Sequence, residues 1–104
     1  MARPATSPPV HETREAGLCR RAYRFRRRGD DRRAMLLLRE AAHGAEDRAA
    51  PWVQYGVQCA RMGRLDEAER ALAHAAWLRE RAHEPAKARI TRALRSLLSG
   101  TRAA

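Results

Sequence analysis

The chain repeats itself at an offset of 34 residues. Gly29 recurs as Gly63, Ala34 as Ala68, Leu38 as Leu72, Ala41 as Ala75 and Ala42 as Ala76, without a gap. The matched stretch covers a turn and the helix-like segment that follows it. A unit of this size cannot bury its apolar face alone, so it must stack on a neighbour of the same kind. That requirement points to antiparallel helix pairs set in a row and away from sheet-based layers.

Composition supports helices. Aromatic residues are 5% of the 104, so core volume must come from Leu, Ala, Met and Val. Ala, Leu and Arg favour helix, while β-branched residues are few and no stretch alternates with period two. One domain is expected, at a length where burying enough apolar surface is a real constraint. No run of ~20 apolar residues offers a membrane span, and the N-terminus lacks the apolar segment of a secretory signal. The expectation is a cytoplasmic protein. Cys19 and Cys59 have no ligand-like spacing, and two small buried thiols fit that setting better than a disulfide.

Residues 1–11 hold three of the five prolines and no helical period, which predicts a disordered leader. The helical domain is expected over 12–100. Leu18, Ala22 and Phe25 form a first apolar stripe. The stretch Gly29-Asp30-Asp31 supplies a left-handed stop and a cap for the next helix. Ala34, Leu37, Leu38, Ala41 and Ala42 form the second stripe, closed by Gly44. Pro51 suits the first turn of a third helix, carrying Trp52, Tyr55, Gly56, Cys59 and Ala60 and closed by Gly63. The fourth carries Leu65, Ala68, Ala71, Leu72, Ala75 and Leu78. Pro85 opens a fifth, whose stripe reads Ile90, Ala93, Leu94, Leu97 and Leu98. Ser99-Gly100 is expected to end it, leaving a tail at 101–104.

The segment Trp52-x-x-Tyr55-Gly56-x-x-Cys59, followed by Gly63-Arg64-Leu65-Asp66-Glu67-Ala68 and then Leu72 and Ala75, resembles the tetratricopeptide repeat motif. Tyr55 stands where that family has Leu, and Cys59 where it has a large aromatic. The resemblance implies repeats at 15–48 and 49–82 and a solvating helix at 84–99. It implies an all-α, antiparallel helix-turn-helix array of five helices, with Gly56 and Ala68 allowing close approach and Leu72 and Ala75 facing the next unit. In the first repeat Leu18, Ala22 and Phe25 take the places of Trp52, Gly56 and Cys59.

Members of that family bind a peptide or helix on a concave face lined by the first helix of each pair. Carried across, the groove positions are Arg20, Tyr23 and Arg27, then Gln54, Val57 and Arg61, then Lys87 and Thr91. This surface is positive with one aromatic, suited to an acidic or C-terminal segment. The Lys and Asn of the family's two-carboxylate clamp fall at Cys19 and Tyr23, so binding of chaperone tails is not expected. Trp77 is expected to pack under the last helix.

Net charge is +10, and every basic residue but Lys87 is Arg. A GC-rich genome produces that bias without selection for function. Arg20, Arg24, Arg27 and Arg28 nonetheless share one helical face and form a candidate polyanion stripe for RNA or DNA. His11, His43, His74 and His83 lack metal-ligand spacing, and no cofactor or metal is expected. With no Gly-rich phosphate loop, nucleophile elbow or acid pair on a rigid scaffold, and with Asp30-Asp31 and Asp66-Glu67 read as helix-start charges, no enzyme is expected either. The reading is a bacterial adaptor or small chaperone that binds another protein. A nucleic-acid-associated protein and a homo-oligomer joined through its repeat ends remain as alternatives.

Overall fold

A computed structural model describes residues 13–103. Those residues form five helices: α1 (Arg14–Arg27), α2 (Asp31–Gly44), α3 (Ala49–Arg61), α4 (Leu65–Arg81) and α5 (Pro85–Ala103). No strand occurs among the described residues. Each helix packs on the next in sequence, and α1 also approaches α3. The leader expected at 1–11 lies outside the described residues.

Helix starts follow local chemistry. Thr13 Oγ1 accepts from Ala16 N at 3.1 Å and caps α1, and Asp30 Oδ1 accepts from Arg33 N at 3.1 Å to cap α2. Both side chains satisfy an amide that the helix cannot. The stops repeat one geometry. Asp30 N donates to Phe25 O at 2.9 Å with Gly29 at φ +82°, and 34 residues on Arg64 N donates to Cys59 O at 2.9 Å with Gly63 at φ +77°. The same turn closes α4, where Glu84 N reaches Arg79 O at 2.9 Å, but there the left-handed position is His83 at φ 59°. The α2–α3 link is different, built on Ala45 N to Ala42 O and Arg48 N to Ala45 O.

Small side chains set the helix spacing. Ala22 and Leu18 are buried, and Ala34, Leu38 and Ala41 of the first pair are buried like Ala68, Leu72 and Ala75 of the second. Gly56 lies under Leu72, whose Cγ would stand 2.9 Å from a Cβ at position 56. Leu72 therefore packs against the first helix of its own pair. Cys19 and Cys59 are buried free thiols, and burial pushes both thiols up.

Beyond helix spacing, two polar side chains tie neighbouring helices together. Gln58, fully buried, donates from Nε2 to the Asp31 carbonyl and carboxylate, both at 3.1 Å, tying α3 to the start of α2. Thr91, also fully buried, receives Arg79 Nη1 at 2.7 Å and donates to Lys87 O at 2.8 Å. Ion pairs Arg14–Glu40 and Arg92–Glu80 cross the α1–α2 and α4–α5 seams.

The last helix departs from expectation in two ways. Its buried side is Ala88 and Thr91, continued by half-buried Leu94 and Leu98, while Ile90 is 62% and Leu97 68% exposed. Apolar character alone pointed to Ile90. What decides the register is that Ala88 admits close approach to α4 and Thr91 has Arg79 as partner. The helix also runs through Ser99 and Gly100 to Ala103, since a Gly in a helix costs only about 1 kcal/mol and does not force a stop.

Candidate functional site

Two surfaces gather the chemistry. The first is the groove between α1 and α3, where Tyr23, Gln54 and Val57 line a hollow of about 140 Å³ over Cys19, Ala22 and Gln58. Tyr23 is 53% exposed, and the Arg27 guanidinium lies 5.8 Å from its ring centroid. Arg20 is exposed on the same helix. Arg61, further along α3, makes a 3.5 Å ion pair with Asp31. Lys87 is exposed on α5 and paired with Glu84 at 3.1 Å, outside this hollow. Thr91 is buried. Its hydroxyl is consumed by Arg79 and Lys87 O, so the expectation that it lines a binding surface is corrected.

Of the Arg stripe, Arg24 and Arg28 stand with Arg21 around the half-buried Phe25. None of these three joins an ion pair among the described residues. Arg20 and Arg27 are exposed on the same helix.

The second surface was not anticipated. A cleft of about 600 Å³ opens between α2, α3 and α4. Its centre is Trp52, with the His74 ring 4.6 Å away, His43 at 5.1 Å and Tyr55 at 6.5 Å, centroid to centroid. Trp77 stacks on His74 at 5.8 Å and carries Arg81 4.7 Å from its own centroid. Trp77 is 48% exposed, so it does not pack under α5 as expected. Spacings of three and four residues place it on the α4 face shared by Arg70, His74 and Arg81.

Hydrogen bonds fix several groups here. Tyr55 OH donates to Glu67 Oε2 at 2.8 Å, and Arg64 reaches Glu67 Oε1 at 3.2 Å. The Tyr55 hydrogen bond, helped by Arg64, holds the Glu67 carboxyl below its usual range, while burial and then Glu67 push the Tyr55 phenol far up. His43 Nδ1 lies 2.8 Å from Arg39 O, and His74 Nε2 lies 3.3 Å from Glu46 O. The Trp52 indole nitrogen is buried without a hydrogen-bond partner among the described residues.

A signal for this cleft is present in the sequence at a different offset. Arg39-x-x-x-His43 on α2 recurs as Arg70-x-x-x-His74 on α4, 31 residues apart. Comparison at 34 passes over it, because the polar rows are displaced by about one helical turn relative to the buried stripes. Trp52 and Tyr55, read as repeat-defining core residues, also supply the floor between the two rows. No family model, curated protein or solved structure matches the chain.

Proposed function

We propose that this chain is a non-catalytic protein-interaction module of tetratricopeptide type, holding an extended partner segment in the groove between α1 and α3. The observation that carries the reading is the pairing of exposed Tyr23 with Gln54 and Val57 across an apolar floor. Gln54 offers donors and an acceptor to an extended backbone. Arg20, Arg26 and Arg27 on α1 favour acidic side chains beside one apolar anchor. The repeated turns and the matching burial of Ala34 with Ala68, Leu38 with Leu72 and Ala41 with Ala75 support the repeat assignment.

Selection of peptides from a random library against the full chain tests this. Peptides with an apolar residue flanked by Asp or Glu are expected, with binding lost in Tyr23→Ala and Gln54→Ala while helicity is kept. Selection of sequences unaffected by either substitution would move the partner site elsewhere.

One observation favours a second reading. The exposed Arg21, Arg24 and Arg28 suit a polyanion backbone, which binds with a steep dependence on salt. Retention on heparin that Arg24→Glu and Arg28→Glu abolish, with peptide capture unchanged, would assign α1 to that role.

A further inference from the structure

We propose that the cleft between α2, α3 and α4 is a binding site for a small aromatic anion, a planar ring bearing a carboxylate or a phosphate. It is separate from the α1–α3 groove and does not depend on the reading of that groove.

The walls are duplicated. One presents Arg39 and His43, the other Arg70 and His74, and Trp52 and Tyr55 lie between them. A volume of about 600 Å³ falls within the ~300–1,000 Å³ usual for small-molecule sites. The ring-lined interior favours a planar aromatic group, which meets these rings edge to face or offset-stacked.

Charge selects the rest of the ligand. Neither Arg39 nor Arg70 joins an ion pair among the described residues. Of the two carboxylates lining the cleft, Glu67 is already bonded to Tyr55 and Arg64. Glu67 also feels Arg39, so Glu46 and Glu67 together oppose Arg39, Arg64 and Arg70; the excess guanidinium offers forked donors that match carboxylate and phosphate oxygens. The histidines add direction. A carbonyl only accepts, so the contacts to Arg39 O and Glu46 O place the protons on His43 Nδ1 and His74 Nε2. The second nitrogen of a neutral ring accepts from amino or ring N–H groups, and that of a protonated ring donates to the anion.

Trp52 and Trp77 are the only two tryptophans of the chain, and both line the cleft. Their indole N–H signals in a ¹H–¹⁵N correlation spectrum therefore report on the site directly. The full chain would be titrated with adenosine monophosphate and with 3-phenylpropionate, beside the uncharged adenosine and 3-phenylpropionamide. The expected result is a saturable shift of the indole signals with at least one anion, about tenfold weaker with its uncharged counterpart. Arg39→Gln and Arg70→Gln should weaken it similarly while the remaining spectrum overlays that of the parent. Response to the monophosphate alone assigns a phosphate ligand, and response to phenylpropionate alone a carboxylate. No saturable shift at millimolar concentration, equal shifts from the uncharged compounds, or indifference to both Arg substitutions would overturn the proposal.

Discussion

Leu72 rests directly on Gly56, so closely that a methyl group at position 56 would stand 2.9 Å from Leu72 Cγ and 3.3 Å from the Ala68 carbonyl. Overpacking of this kind costs ~1–3 kcal/mol. Replacing Gly by Ala inside a helix returns about 1 kcal/mol. Gly56→Ala is therefore expected to lower the free energy of unfolding by about 1 kcal/mol in denaturant titration. In a Leu72→Ala background the same change should become neutral or stabilising. Equal cost in both backgrounds would show that the contact does not set the α3–α4 spacing.

The three turns of matching geometry differ at their left-handed position. His83 occupies the left-handed conformation that Gly29 and Gly63 adopt elsewhere. A residue with a Cβ pays roughly 1 kcal/mol there, so His83→Gly should raise stability by a few tenths to about 1 kcal/mol. Gly63→Ala should lose about 1 kcal/mol, although a Cβ at Gly63 would meet no atom. Thermal unfolding of the two variants should shift in opposite directions.

The register of α5 leads to an inverted hydrophobicity test. Ile90→Asp, at a largely exposed position, should leave helicity and melting temperature nearly unchanged. Thr91→Val keeps the shape but strands Arg79, and should cost about 1–2 kcal/mol. A larger loss from Ile90→Asp than from Thr91→Val would place the helix in the other register.

The Tyr55–Glu67 hydrogen bond produces a pH dependence of definite sign. Glu67 has its carboxyl held below the usual range, so its contribution is complete above the unfolded pKa, about 4.3. It is lost progressively as pH falls below that value toward the folded pKa. Tyr55 is displaced upward; its contribution is complete below about pH 10 and lost as pH rises beyond it. Tyr55→Phe should cost about 1–2 kcal/mol at neutral pH. The gap to the parent protein should close in acid. A gap independent of pH would mean that the hydroxyl acts through packing alone.

Much of the fold was legible because it rests on spacing. Gly29 and Gly63 marked two stops, and Asp30 and Pro51 marked two starts. The buried stripes of α2 and α4 followed from Ala34, Leu38, Ala68 and Leu72. Periodicity was misleading where a helix has a neighbour on one side only, so that α5 buried Ala88 and Thr91 and left Ile90 outside. Gln58 gave no signal, since a polar residue is buried only when a distant partner such as Asp31 receives it. Tyr23, Gln54 and Val57, positions taken from the resemblance, line one hollow. The ring-lined cleft was hidden for another reason. His43, His74 and Trp77 look unremarkable within their own helices, and only the approach of α2 and α4 to Trp52 assembles them.

The order in which these helices touch also bears on how the chain is made. Because each helix packs chiefly on the one before it, α1 and α2 can dock while α4 is still being synthesised. Short loops keep the closure entropy small and the folding rate high. Each seam needs only its own two helices, so it can close as soon as both are present, whatever the state of the others.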